Sequence, residues 1–284
     1  MFTKARQLLA SVAPAAGLLG VSLYSGGGVA LSAPAGKTNE QLKGLAGRVQ
    51  AIEDDLSLKT AAPQPKLIFN YFPIPGRGEL TRLALTVSGA DWEDRRLAGP
   101  AWGALKASVQ PYGQLPFLEI EGSGQRIFQS DAIARYAARQ GDGALVPGCP
   151  LQEALSNEFV EAFEDVLAPI IPTFALKGEA QLAARAELCN PGGKLFETLR
   201  KIEARLAESP TGLVAATEGL TLGDLALFCA TSMISSGWLD GVPLDILRAF
   251  PLLAEHRRRV GTDQRVAAFY AKETDEVRSH YRFE

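Results

Sequence analysis

Cysteine and histidine are scarce in this chain of 284 residues. The three cysteines, Cys149, Cys189 and Cys229, lie far apart, and no CxxC pair occurs. This spacing excludes a local zinc ribbon or dithiol redox centre and favours buried, reduced thiols. The two histidines, His256 and His280, are late and isolated. We interpret them as surface or partly buried side chains, and we expect neither a histidine-based triad nor a metal site.

Positive charge is also limited. The net charge is −3, and the cations Lys4, Arg6 and Lys37 all precede the first acid, Glu40, so the remainder of the chain is more acidic than the whole. A mildly acidic body argues against a nucleic-acid partner. The composition, 46% hydrophobic and 21% charged, is typical of a globular protein, and the length suits one large or two ordinary domains.

Charged residues are absent between Arg6 and Lys37. A basic flank and a lack of acids are typical of a cleaved organellar transit peptide. The stretch Val12–Leu31 is also long enough to cross a bilayer, and a secretory signal is a third alternative. We predict that residues 1–36 are a targeting or membrane-anchoring segment that directs the chain to an organelle, a mitochondrion or plastid, with the secretory pathway as the alternative.

Residues 37–63 have the pattern of an amphipathic helix followed by a linker. Thr38 and Gln41 can form a capping box at its start. Apolar residues follow at spacings of three and four: Leu42, Leu45, Val49, Ile52 and Leu56. This heptad-like seam favours either a self-associating stem or a helix that lies on the folded body. The stretch AAPQPK, with two prolines, ends it.

Residues 66–89 predict a strand, a turn and a helix. An apolar run from Leu67 to Phe72 has the length of a buried strand, and prolines and glycines then punctuate the chain. Apolar residues at helical spacing follow, and Gly89 stands where a C-terminal cap is expected. Tyr71 is thereby placed at the end of a strand, facing a helix N-terminus. This geometry suits a small anion or a thiol.

The next segments predict a sheet. Trp92–Leu97 and Gln114–Ile120 have strand patterns, and a turn at residues 122–124 leads into a hairpin partner, Arg126–Phe128. Ser130 is expected to be the N-cap of the following helix. We therefore predict a thioredoxin-like α/β domain over residues 64–143, with Trp102 and Lys106 in a loop after the second strand.

Beyond residue 148 no strand pattern recurs. We predict an all-α domain over residues 148–284, built around a central apolar helix, Thr221–Ile234. Thr221 and Asp224 have the spacing of a capping box at its start. Glu161, Glu164 and Asp165 share one face of an earlier helix, where acids usually belong to a solvated surface.

Three segments carry a resemblance to a known family: YFPIPGRGELTRLAL, PYGQLPFLE and QSDAIARYAA. In this order and spacing they resemble the signatures of cytosolic-type glutathione S-transferases, with most similarity to the sigma class. The resemblance covers residues 66–284 and implies the fold of that family, preceded here by a non-globular extension.

The resemblance also implies a set of site residues. Tyr71 falls on the family's catalytic tyrosine and Arg77 on its partner arginine. Glutathione would be bound by Trp102, Lys106 and Gln114 at its glycyl end, by the backbone of Leu115 before a cis-Pro116, and by Gln129 and Ser130 at its γ-glutamyl carboxylate. Asp165 falls on an aspartate that reaches glutathione in the neighbouring subunit, which implies a homodimer.

The implied activity is the conjugation of glutathione to hydrophobic electrophiles in detoxification, with no metal required. A thiol pKa near ~8.5 leaves little thiolate at neutral pH, and a hydrogen bond from the Tyr71 hydroxyl would lower that pKa. We expect Phe72, Ile74 and helical residues 163–173 to line the second-substrate pocket. The alternatives are a glutathione-dependent isomerase or peroxidase on the same scaffold, and a non-catalytic subunit of an organellar membrane complex.

Overall fold

The computed structural model describes residues 20–23, 29–32, 65–109 and 111–283. The chain divides into two units, Met1–Gln64 and Pro65–Glu284. In the first unit, strands β1 (Gly20–Leu23) and β2 (Val29–Ser32) pair antiparallel. The rest of the predicted targeting segment, and the heptad helix with its linker, lie outside the described residues. Within the described ranges, no helix is both long and apolar enough for a membrane crossing.

The second unit opens with a four-stranded mixed sheet. Its strands are β3 (Leu67–Tyr71), β4 (Trp92–Arg96), β5 (Phe117–Ile120) and β6 (Arg126–Phe128), in the spatial order β4-β3-β5-β6. β3 runs parallel to β4 and antiparallel to β5, and β5 pairs antiparallel with β6. A parallel pair needs a crossover, which helix α1 (Glu79–Val87) supplies.

The remaining helices follow in chain order: α2 (Gly99–Leu105), α3 (Ser130–Ala138), α4 (Pro150–Leu167), α5 (Gly178–Cys189), α6 (Lys194–Leu206), α7 (Leu222–Ile234), α8 (Pro251–Gly261), α9 (Gln264–Tyr270) and α10 (Glu276–Ser279). Short 3-10 helices lie at Gly76–Gly78, Lys106–Ser108, Ile171–Ala175 and Ile246–Ala249. This order confirms the predicted α/β portion followed by an all-helical portion.

Several expectations from the sequence differ from the structure. Trp102 and Lys106 lie in α2 and the 3-10 turn after it rather than in a loop. The sequence of α2 has no apolar periodicity that would predict a helix, in keeping with the absence of buried residues in it. Gln129, and not Ser130, is the N-cap of α3. His256, expected at the surface or partly buried, is fully buried, and its ring lies against Asp224.

Helix α7 is the centre of the helical core, since every one of its residues is buried. The predicted capping box is present: the Thr221 backbone N–H donates to the Asp224 carboxylate at 2.8 Å. Gly223 lies against α4, where its backbone N–H donates to the Ser156 hydroxyl at 2.9 Å. A Cβ at Gly223 would lie 2.4 Å from the Ser156 carbonyl oxygen, so only glycine permits this approach.

Residues 65–284 cluster as one compact unit. The boundary between a domain at 64–143 and one at 148–284 stays a prediction from the sequence.

Candidate functional site

The candidate site begins at the edge of the sheet where β3 and β6 end and β5 starts. Asn70 of β3 faces Phe117 of β5, and Phe117 faces Phe128 of β6. Because both pairings are antiparallel, the next residues beyond them lie at the same edge of the sheet. The structure thus brings together Tyr71, Pro116 and Gln129, which are far apart in the sequence.

Tyr71 packs its ring into the turn that follows it. The side chain is buried, with 7% of its surface exposed. A Cβ at Gly78 would lie 2.3 Å from Cδ1 of this ring, and a Cβ at Gly76 would lie 2.9 Å from its hydroxyl oxygen. Gly76 also has a positive φ of 41°. The glycines of the GRG motif therefore make room for the tyrosine and permit the turn.

The electrostatic surroundings keep the Tyr71 hydroxyl protonated at neutral pH. Burial raises its pKa above the ordinary value of 10.0, although a hydrogen bond from the Arg77 backbone and the charges of Arg77 and Arg82 act to lower it. The Arg82 guanidinium carbon lies 5.7 Å from the ring centroid. Because the hydroxyl accepts from a backbone N–H and keeps its own proton, it can donate one hydrogen bond outward.

Arg77 joins the turn to helix α4. Its Nε and Nη2 atoms each donate to a Glu164 carboxylate oxygen at 2.7 Å. These hydrogen bonds raise the pKa of Arg77 above its ordinary value. The sequence pattern assigned Glu164 to a solvated surface, and this assignment was wrong: the fold brings a residue 87 positions away against the GRG motif.

Gln129 and Ser130 form the entry to α3. Gln129 is exposed, with φ of 71° and ψ of 119°, a conformation that L-residues rarely adopt. Ser130 is the first helical residue and lies half-buried beside Asp131. Burial raises the pKa of Asp131, as do the charges of Glu164 and Glu161, whereas a hydrogen bond from Ser130 lowers it.

The peptide bond between Leu115 and Pro116 is cis, which confirms the predicted cis-proline. Gln114 lies directly before this pair. Gln114 is exposed and Leu115 is half-buried. Among the described residues, none forms a hydrogen bond with the Leu115 backbone. Both of its polar backbone groups are thus available to a ligand.

Trp102 and Lys106 are less well defined as site residues. Trp102 is half-buried in α2, and Lys106 is exposed. A Cβ at Gly113 would lie 3.7 Å from the Lys106 carbonyl oxygen, so Lys106 lies beside the segment that leads to Gln114. The Trp102 backbone N–H donates to the Ala98 carbonyl oxygen at 2.9 Å, within the helix start.

Asp165 lies next to Glu164 in α4. It is exposed, and no ion-pair or hydrogen-bond partner is found for it in the described part of the chain. Glu161, one turn earlier, is exposed, as the sequence predicted, and pairs with Arg135 of α3. The predicted reach of Asp165 into a second subunit stays a prediction.

Part of the expected second-substrate lining is in the core. Phe163 and Thr173 are buried, and Thr173 accepts a hydrogen bond from Arg185. Phe72 and Ile74 are half-buried beside Tyr71.

Sequence reasoning missed two charged residues behind the turn. Glu79 and Arg82 of α1 are 1% and 0% exposed, and they form an ion pair at 3.2 Å. The signal that could have identified them is their spacing: an acid and a base three apart, within an otherwise apolar helix, can pair and be buried together.

Comparisons with known proteins agree with this geometry. Residues 68–139 match the glutathione S-transferase N-terminal domain family. Over 108 residues the chain is 43% identical to a probable glutathione S-transferase 7 of Caenorhabditis elegans, covering 38% of this chain and 50% of the relative. Over 103 residues it is 36% identical to a hematopoietic prostaglandin D synthase of Gallus gallus, covering 36% and 49%. The chain therefore spans about half the length of these curated relatives.

A solved structure extends the similarity over the helical portion. The glutathione S-transferase from Ascaris lumbricoides superposes with a TM-score of 0.61 at 27% identity, over 74% of this chain and 98% of that one. The family match at the sheet, the relatives and the shared fold together lead to one conclusion. Residues 68–139 carry the glutathione S-transferase N-terminal domain, and the chain is similar to cytosolic-type glutathione S-transferases, including their sigma class.

Proposed function

We propose that this protein is a glutathione transferase that conjugates glutathione to hydrophobic electrophiles. The observation that carries the proposal is the placement of Tyr71 at the strand edge, where its ring is buried against the GRG turn. Burial raises the pKa of its hydroxyl, which therefore keeps a proton to donate. A donor in a largely buried position stabilises a thiolate more strongly than water does.

The binding roles follow from the resemblance and from the placement of each residue. An extended tripeptide would pair with the free backbone groups of Leu115, as an added strand does. Gln129 and Ser130, at the start of α3, offer hydrogen bonds and helix N-terminal N–H groups to the γ-glutamyl carboxylate. The glycyl end would lie toward Gln114, Lys106 and Trp102.

The chemistry requires no nucleophile from the protein. The hydrogen bond from Tyr71 lowers the pKa of the glutathione thiol, which loses its proton to solvent. The thiolate then attacks an electrophilic carbon, a carbon–sulfur bond forms, and the leaving group departs with the bonding electron pair. Burial raises the pKa of Tyr71, so the phenol acts as a hydrogen-bond donor rather than as a base.

A glutathione-dependent isomerase is the second candidate. It is favoured by the similarity to a protein named hematopoietic prostaglandin D synthase. Both activities would use the same thiolate, and they differ in the substrate placed against Phe72 and Ile74.

Assembly and location complete the proposal. Asp165, exposed and without a partner in the described part of α4, would reach the glutathione amino group of a second copy, so we propose a homodimer. The uncharged stretch before Lys37 would act as an organellar transit peptide, with membrane anchoring as the alternative. N-terminal sequencing of the mature protein tests this: a start near residue 60 contradicts anchoring.

The central test is the Tyr71→Phe variant, assayed with glutathione and a chlorodinitrobenzene. Loss of one hydrogen bond to a charged sulfur, worth about 1.5–3 kcal/mol, should lower kcat roughly tenfold to hundredfold. Retention on immobilised glutathione should persist, because the other contacts remain. Tyr136→Phe, in α3, is the matched control and should leave turnover unchanged. Equal turnover in wild type and Tyr71→Phe contradicts the mechanism.

A further inference from the structure

A buried ion network lies behind the turn that follows Tyr71. It consists of Glu79 and Arg82 of α1 and Arg278 of α10, each with 1% or less of its surface exposed. Asp94 of β4 and Asp275, the N-cap of α10, lie at its edges, bonded to Arg82 and Arg278. The network thus joins residues almost 200 positions apart in sequence.

Arg82 donates hydrogen bonds directly to the backbone of the turn. Its Nη2 atom donates to the Phe72 carbonyl oxygen and its Nη1 atom to that of Ile74, each at 2.9 Å. Its Nε atom donates to Asp94, at 3.0 and 3.1 Å to the two carboxylate oxygens. The guanidinium plane therefore fixes the first residues after Tyr71 against the sheet, in a geometry that lysine cannot reproduce.

Arg278 and Glu79 hold Arg82 in this position. The Arg278 Nε and Nη2 atoms donate to the two oxygens of Glu79 at 2.8 and 2.7 Å, and the Tyr270 hydroxyl adds a third bond at 3.1 Å. Glu79 in turn accepts from Arg82 at 3.2 Å. Without Arg278, the Glu79 carboxylate would be under-compensated and would draw the Arg82 guanidinium away from the two carbonyl oxygens.

Stability alone is a weak reason for such a network. A buried ion network can often be replaced by packed apolar side chains at no loss of stability. Here the hydrogen bonds end on the backbone of the turn that follows Tyr71 and carries Arg77 and both glycines of the GRG motif. That placement is what a supporting layer behind a reactive group requires.

We propose that Arg278, acting through Glu79 and Arg82, is a positioning residue that holds the turn after Tyr71 and so aims the Tyr71 hydroxyl at the thiol. The segment after α9 is then part of the working site, although it contributes no group that touches substrate. The expected effect on catalysis rests on the proposed function, since it assumes that Tyr71 ionises glutathione. The expected effect on the position of Tyr71 does not depend on glutathione.

The first experiment compares Arg278→Met with wild type by the pH profile of kcat/KM and by the ultraviolet absorbance of the bound thiolate. A displaced Tyr71 donates a weaker hydrogen bond. The acid limb should therefore move up by about one pH unit, and turnover at neutral pH should fall about tenfold. KM for glutathione should change less than about twofold, because the residues proposed to bind it are untouched.

Three further variants separate positioning from general loosening. Arg278→Lys keeps a charge beside Glu79 and should recover part of the shift. Tyr270→Phe removes only the hydroxyl bond to Glu79 and should give a smaller shift in the same direction, so it serves if Arg278→Met does not fold. Arg282→Met is the matched control: Arg282 lies in the same segment but donates to the Tyr270 carbonyl oxygen at 3.0 Å.

The second experiment needs no glutathione. Fluorotyrosine is incorporated, the Tyr71 resonance is assigned with Tyr71→Phe, and its titration is followed by fluorine NMR. Displacing the turn removes the Arg77 backbone bond and moves Arg82 away, so the Tyr71 pKa should rise in Arg278→Met and not in Arg282→Met. An unchanged titration in Arg278→Met and Tyr270→Phe, or an equal shift in Arg282→Met, overturns the proposal. If wild type fails to ionise glutathione while this titration still shifts, the proposed function fails and the positioning role stands.

Discussion

Arg77 and Glu164 form a two-pronged ion pair, with both donor–acceptor distances at 2.7 Å, that connects the turn after Tyr71 to helix α4. Each side chain keeps about a third of its surface exposed, so solvent screens the pair and its share of stability is small. Its importance lies in position: the backbone N–H of Arg77 bonds Tyr71, and the Arg77 side chain holds that backbone.

Arg77→Lys should separate these two effects. Lysine cannot make the two-pronged contact, so the turn shifts and the bond to Tyr71 weakens. We expect kcat to fall on the order of tenfold and the free energy of unfolding to fall by less than about 1 kcal/mol. Steady-state kinetics and denaturant titration measure the two. Arg135→Lys, which alters the pairing with Glu161 on the same helix, is the control, and an equal loss there contradicts the assignment.

Gly78→Ala tests the packing of the GRG turn. Gly78 has an ordinary φ of −80°, so the added methyl acts only through its clash with the Tyr71 ring. We expect a loss of about 1–3 kcal/mol in the free energy of unfolding, together with a large loss of turnover. Gly103→Ala in α2 meets no atom within 4 Å and should be neutral or slightly stabilising. Normal activity in Gly78→Ala would show that the ring position is not critical.

Gln129→Gly should weaken the binding of glutathione and raise the stability of the fold. The φ of 71° strains glutamine and not glycine, so removal of the side chain should stabilise the fold by about 1 kcal/mol. The same change removes a proposed contact to glutathione, and KM for glutathione should rise. Ala216 also has a positive φ, of 53°, and Ala216→Gly should stabilise without changing KM. Thermal unfolding and glutathione titration together decide; an unchanged KM in Gln129→Gly removes this residue from the site.

Asp224 should govern stability in acid. Burial alone would raise its pKa, but hydrogen bonds from His256, the Val214 backbone and Thr221 hold it below the ordinary value of 3.8. A depressed pKa in the folded state contributes stability above the ordinary value, and this contribution is lost as pH falls through the folded value.

Asp224→Asn should therefore lower stability at neutral pH by about 2–4 kcal/mol, because an amide cannot accept every one of these bonds. It should also flatten the fall in stability below about pH 4. Urea unfolding across pH measures both. Asp245→Asn, at an exposed pair 3.7 Å from Arg248, is the control. A variant that keeps the steep acid limb of wild type would assign that limb to other carboxylates.

Local patterns were sufficient for much of the fold. The strand ending at Tyr71, the hairpin into β6 and the capping box at Thr221 and Asp224 each depend on neighbouring residues, so periodicity and turn chemistry could predict them. Helix α2 has no fully buried residue and shows no apolar stripe, and for that reason it was expected to be a loop.

Long-range pairing could not be predicted in the same way. Glu164 meets Arg77, and Arg278 meets Glu79, only after the sheet and the helices have packed. A charged residue in a sequence window does not indicate whether its partner is water or a distant side chain. The resemblance to a family supplied Tyr71, Gln129 and Ser130 as candidates, and the strand register then placed Tyr71 and Gln129 at one edge.

The contact between Gly223 and Ser156 limits how this scaffold can diversify. Because the backbones of α4 and α7 touch here without an intervening side chain, α4 cannot shift along its axis relative to α7. Glu164 and Asp165, which lie on α4, therefore keep a constant position relative to the sheet. Under the proposed function, accommodation of substrates of different size would fall instead to the short turn at Phe72 and Ile74, whose side chains can change without moving the helices.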